Sequence, residues 1–159
     1  MMTKLSENFT LDEATYSETA IRFHIDNQPD EKQLANMKTA AAQLERVRAV
    51  TGPLRVNSWL RLPDVNVAVG GSKVSSHMDG WAIDCSSTSH TPYELCQLVI
   101  NAGIEFDQMI HEFGRWMHIS FAPEMRHQKL TIFKPQGKYI PGILTEIEYH
   151  HHEEHASEK

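Results

Sequence analysis

The sequence predicts a fold that mixes α-helices with β-strands, on three observations. Two segments carry apolar residues at helical spacing and open with a capping box. Four short segments alternate, or run β-branched and aromatic, in the manner of strands. Glycine and proline separate these segments at short intervals. The chain has 159 residues, enough for one domain that buries roughly two thirds of its unfolded surface without staples.

The first 30 residues are polar with short apolar punctuation and read as a loop with brief helical turns. The first long helix is expected over residues 30–50. Asp30 is the N-cap, Gln33 completes the box, and Leu34, Met37, Ala41, Leu44 and Val47 share one face. Gly52 and Pro53 end it. Residues 54–60 alternate and read as a strand. Residues 61–76, with Gly70 and Gly71, read as a long loop without structure of its own, and such a loop is usually functional or disordered. The second helix begins with Thr91 as cap, Pro92 in the first position and Glu94 closing the box, and it ends at Gly103. Three further strands are expected over 106–110, 116–121 and 129–133. Residues 146–159, rich in histidine and glutamate, are expected to be a disordered tail. His150, His151, His152 and His155 there suit either loose metal binding or plain solvation.

Composition excludes several functions. The net charge is −6, which argues against a nucleic-acid binder. No stretch approaches the roughly 20 apolar residues of a membrane span. Cys85 and Cys96 are too few for a disulfide framework and are expected as free thiols. The N-terminus has no apolar signal-peptide core, so synthesis in the cytoplasm is expected.

The chemistry concentrates in SSHMDGWAIDC, residues 75–85. His77 offers a neutral nitrogen and Asp84 a carboxylate oxygen, both suited to zinc. A catalytic zinc site takes three protein ligands and keeps a fourth position open. The third donor is His118 in WMHIS. In a strand, Trp116, His118 and Ser120 share one face, while Met117, Ile119 and Phe121 form an apolar core face. By residue type alone each has a plainer reading. A His and an Asp seven apart can be unrelated, and a histidine on a strand can be structural. Gly80 between the two marks a place where a side chain would interfere.

The string Ser75-x-His77-x-x-Gly80-x-Ala82-x-Asp84, followed about thirty residues later by Trp116-x-His118-x-Ser120, resembles the D-Ala-D-Ala carboxypeptidase family of zinc metallopeptidases. That family includes vancomycin-resistance dipeptidases and phage endolysins that cut L-Ala-D-Glu bonds. The chain is most similar to its compact single-domain phage and prophage branch. Three further segments carry the likeness: the FTLDE opening at Phe9 to Glu13, Ser58-Trp59-Leu60-Arg61, and the loop from Asn66 to Ser72. The likeness spans roughly residues 6–135.

The resemblance implies an α+β fold, with helices packed on a small antiparallel sheet and a zinc site in the cleft. It implies one zinc peptidase domain over residues 1–145, with Zn2+ held by His77, Asp84 and His118. It places Arg61 at the substrate near the scissile bond and Ser75 beside the metal, in contact with substrate. The implied substrate is a peptidoglycan stem peptide with a D-amino acid at the cut bond. The implied setting is cell-wall lysis or remodelling by a monomer, released from the cytoplasm or carried in a virion. Many members place an acidic residue three positions before the last histidine ligand, where this chain has Arg115. The nearest acid is Glu112, six positions before His118, and a turn at Gly114 could return it to the metal as general base. The displacement leaves open a non-catalytic zinc-containing structural or wall-binding module of the same fold. An amidase cutting between sugar and peptide is a third possibility. His111 is expected on the solvent face of its strand, Asp79 in solvent, and Cys85 buried and inert. Trp59, Trp81 and Trp116 suit either a substrate groove or core packing.

Overall fold

The computed structural model describes residues 3–72 and 75–157. Residues 73 and 74 of the expected loop, and 158 and 159 of the expected tail, lie outside them. Two short helices open the chain, α1 (Leu11–Thr15) and α2 (Glu18–Arg22), capped by Thr10 and Ser17. The long helix α3 (Glu31–Thr51) starts at Asp30 with its capping box to Gln33, and Gly52 closes it at φ 82°. Strand β1 (Arg55–Ser58) follows. The segment expected to be a structureless loop contains helix α4 (Pro63–Ala68). Proline at its first turn is pre-set for helix, and Val65 and Asn66 are buried. A single 3-10 turn (Ser76–Asp79) leads into β2 (Ala82–Ser86), then α5 (Pro92–Asn101), β3 (Gln108–Glu112), β4 (Trp116–Ser120), β5 (Gln128–Ile132), β6 (Ile140–Pro141) and α6 (Glu146–Ser157).

The strands form one sheet in the order β1-β2-β4-β3-β5-β6. Every pairing is antiparallel except β3 with β5, which is parallel. The fold is thus α+β as expected, and the expected small antiparallel sheet has one parallel pairing among its five. β2 already occupies the outer edge of β4, so the chain leaving β4 crosses to the free edge of β3. It arrives at the end where β3 begins: the Gln128 N–H donates to the Asp107 carbonyl at 3.0 Å. A bidentate pair of Arg126 with buried Asp107, both contacts at 2.9 Å, fastens that crossing.

Alternation along the strands divides the sheet into two faces. Ile83, Cys85, Met109, Met117 and Ile119 point into the main core with Met37, Leu44, Val47, Leu95 and Val99 from α3 and α5. The opposite face, with Asp84, His118, Ile110 and Glu112, floors an open cleft of about 1090 Å³.

The C-terminal segment is helical, where a disordered tail was expected. Thr145 and Glu148 form a reciprocal capping box, with bonds of 2.9 and 3.2 Å. Tyr149 is fully buried against Phe133 and Ile140, and its hydroxyl donates to the Lys138 carbonyl at 2.7 Å. Tyr149, the cap and the His150 ring against Phe133 dock a helix that is mostly polar. Among the described residues, no helix is long and apolar enough to cross a membrane.

Candidate metal centre and active-site cleft

His77 is placed by the 3-10 turn. Ser75 caps the turn by accepting from the His77 N–H at 3.2 Å, and Gly80 ends it in the left-handed conformation at φ 85°. A Cβ on Gly80 would lie 2.6 Å from the Met37 side chain, so only glycine lets the turn seat against α3. The Gly80 carbonyl accepts from the indole of buried Trp59 at 2.9 Å. The Trp59 carbonyl in turn accepts from His77 Nδ1 at 2.7 Å. That bond fixes the tautomer and leaves the Nε2 lone pair facing the cleft.

Asp84 and His118 meet by strand register, being direct partners across β2 and β4. His77 Nε2 lies 3.2 Å from Asp84 Oδ1 and 3.2 Å from His118 Nδ1, and the last two atoms are 2.9 Å apart. All three residues are buried. At a metal–ligand distance of about 2.0–2.1 Å, the edge of a zinc tetrahedron is about 3.3–3.4 Å. The three donors thus approach the spacing of one tetrahedral face, and they could hold a metal ion. Two imidazole nitrogens aimed at one carboxylate oxygen make a poor hydrogen-bond network but a good cation cage. Burial alone would raise the Asp84 carboxyl, yet the two imidazoles hold it well below the usual carboxylate range.

Glu112 joins them. The β3–β4 turn pairs Glu112 with Trp116, which puts Glu112 on the same face as Ile110 and His118. Its Oε1 lies 3.7 Å from His118 Nδ1. Burial, reinforced by the Asp84 charge, pushes its carboxyl up to about 7. Arg61 is held by its backbone: Asn27 donates to the Leu60 carbonyl and accepts from the Leu62 N–H, while the Arg61 N–H donates to the His77 carbonyl at 3.0 Å. Its guanidinium lines the cleft, reaches Ser75 Oγ at 3.5 Å and, among the described residues, has no carboxylate partner. The Nε atom is buried without a hydrogen bond. Such a cation is ready for an anionic group of a ligand.

The structure therefore gathers Arg61, Ser75, His77, Asp84, Glu112 and His118 around one cleft. His111 is different. It is buried on the helix-covered face, its Nδ1 donating to the Leu144 carbonyl at 2.8 Å, edge-on to Phe133, and so not in solvent. The residues after β5, which supply Leu144 and Phe133, cover what would otherwise be an exposed strand position. Asp79 is exposed, and Cys85 is buried on the core face with its thiol pushed up by burial. Trp81 and Trp116 line the cleft, whereas Trp59 is core. Residue types gave no sign of the Trp59 carbonyl, because a backbone acceptor has no signature. Tyr139 and Lys134 also line the cleft from the β5–β6 connection.

The model of the Peptidase M15 family matches residues 7–120. The chain belongs to the Peptidase M15 family. No curated protein matches it. This is a family of metallopeptidases, and the matched span contains all six residues gathered at the cleft. Strands β5 and β6 and helix α6 lie beyond it.

Proposed function

We propose that this M15 metallopeptidase uses zinc, held by His77, Asp84 and His118, to hydrolyse a peptide bond involving a D-amino acid in peptidoglycan stem peptides. The observation that carries the proposal is the approach of three buried donor atoms to within 2.9–3.2 Å of one another, with the Glu112 carboxyl 3.7 Å from one of them. Two nitrogens and one carboxylate oxygen match the donor set of a catalytic zinc site with an open position.

When bound, zinc supplies a Lewis acid that polarises a carbonyl and makes water a nucleophile near neutral pH. The chain's residues do the rest. Glu112 takes the proton of the attacking water and returns it to the leaving amine. Its place on the cleft face of β3, 3.7 Å from His118 Nδ1, puts one carboxylate within reach for both halves of that task. Arg61 holds a substrate carboxylate or the developing oxyanion, and Ser75 steadies the guanidinium. The hydrogen bond from His77 to the Trp59 carbonyl keeps the imidazole oriented through the cycle.

The family likeness supports this substrate class, as does the Arg61 guanidinium, which has no carboxylate partner among the described residues. The position of Glu112 at His118 favours catalysis over a zinc-containing module that has lost its base. The test is digestion of purified peptidoglycan, with the products identified by mass spectrometry. A new amino group on a D-residue supports the proposal. Release of the stem peptide from its sugar would mean an amidase instead, and no product from zinc-loaded protein would favour the module.

A further inference from the structure

The cleft continues past the metal ligands along β3 and β5, and its floor there is built from two side-chain amides. Gln108 and Gln128 are register partners of the parallel pair and lie on the cleft face. Gln108 Nε2 donates to Gln128 Oε1 at 2.8 Å, and both side chains are half-buried. Among the described residues, neither amide makes another side-chain hydrogen bond. Locked together, they present one carbonyl oxygen and one NH2 group to the cleft, and exchanging the two roles within the pair leaves the same complement. That complement matches the C=O and N–H that an extended peptide shows along one edge. The Arg126–Asp107 pair and the Gln128 N–H bond tie the start of β5 to the start of β3 at this floor.

Strand geometry sets the distance. Gln108 pairs with Ser120, two residues along β4 from His118, and Gln128 is one strand further away. The two glutamines therefore lie about 8–12 Å from His118, at about 3.4 Å per residue and about 4.8 Å per strand. An extended peptide covers that distance in about two to three residues.

Resting on the peptidase reading above, we propose that the Gln108–Gln128 pair is a subsite that recognises substrate main chain two to three residues from the scissile bond. The enzyme then prefers oligopeptides, and a dipeptide is too short to reach the pair.

The test is calorimetric binding to zinc-loaded protein carrying Glu112→Gln, which prevents turnover. The probes are a stem pentapeptide ending in D-Ala-D-Ala and the free dipeptide D-Ala-D-Ala. The pentapeptide should bind about tenfold tighter or more, as one or two added hydrogen bonds give. Adding Gln108→Leu with Gln128→Leu should abolish that advantage while leaving zinc content and dipeptide affinity unchanged. Gln128→Glu preserves shape and the bond from Gln108 but removes the free NH2 group, and it should lose the advantage too. An advantage that survives either variant, or a loss shared equally by both peptides, overturns the subsite. Equal binding of the two peptides overturns the subsite alone. Binding of neither peptide overturns the substrate class and the subsite with it.

Discussion

Replacing Glu112 by glutamine separates what the base does for catalysis from what it does to the fold. In the metal-free protein, burial and the Asp84 charge push the Glu112 carboxyl from 4.5 to about 7. Between those values the folded chain keeps a proton that the unfolded chain has released. Stability therefore falls as pH rises through that window, and it stays low above about 7. The displacement corresponds to about 3 kcal/mol, at about 1.4 kcal/mol for each pH unit. Glutamine has no proton to lose. Relative to wild type, the metal-free Glu112→Gln protein should gain up to about 3 kcal/mol between pH 4.5 and pH 8. Urea unfolding in chelator at the two pH values measures the gain. Zinc should narrow the gap, because a dication beside the carboxylate favours its charged form. The same variant should lose about 100- to 10,000-fold in kcat while retaining metal. A stability difference that is equal at both pH values would refute the reasoning, since Glu112 would then be neither desolvated nor facing Asp84.

Two further substitutions probe the supports of the site and of the fold. Gly80→Ala forces a Cβ into a left-handed turn and to 2.6 Å from Met37. It should destabilise the protein by about 2–3 kcal/mol and weaken zinc binding in a chelator competition, through the displaced His77. Unchanged unfolding and unchanged zinc affinity would contradict the tight seating on α3. Tyr149→Ala removes the buried anchor of α6 and should cost about 3–5 kcal/mol in thermal or urea unfolding. A solvated tail would show no change.

The parts of the fold written in local chemistry were legible in the sequence. The caps at Asp30 and Thr91, with Gln33 and Glu94 closing their boxes, set the starts of α3 and α5 within a residue. The alternation of WMHIS put His118 on the face opposite Met117 and Ile119, where it pairs with Asp84. Choices made by the chain over distance were not legible. Nothing local says that β5 lies beside β3 in parallel, because that depends on β2 already holding the edge of β4. The burial of His111 needs Leu144 and Phe133, both more than twenty residues later. The docked α6 left a local sign in Thr145 and Glu148, a capping box hidden by the polar composition around it. Glu112 was legible as a candidate, but its place beside the ligands comes from the β3–β4 pairing and from no fixed spacing.

The most direct test of the account is the metal content of the purified protein. Tyr149 anchors the C-terminal helix, so the tail should not be cut at Thr145. Replacing His151, His152 and His155 with glutamine removes tail histidines that could hold zinc adventitiously and keeps that anchor. This parent, dialysed against zinc and then buffer, should retain one zinc per chain by mass spectrometry, and adding His118→Ala should abolish it. A parent that keeps no zinc, or a His118→Ala variant that keeps a full equivalent, would contradict the metal centre and the hydrolytic mechanism built on it.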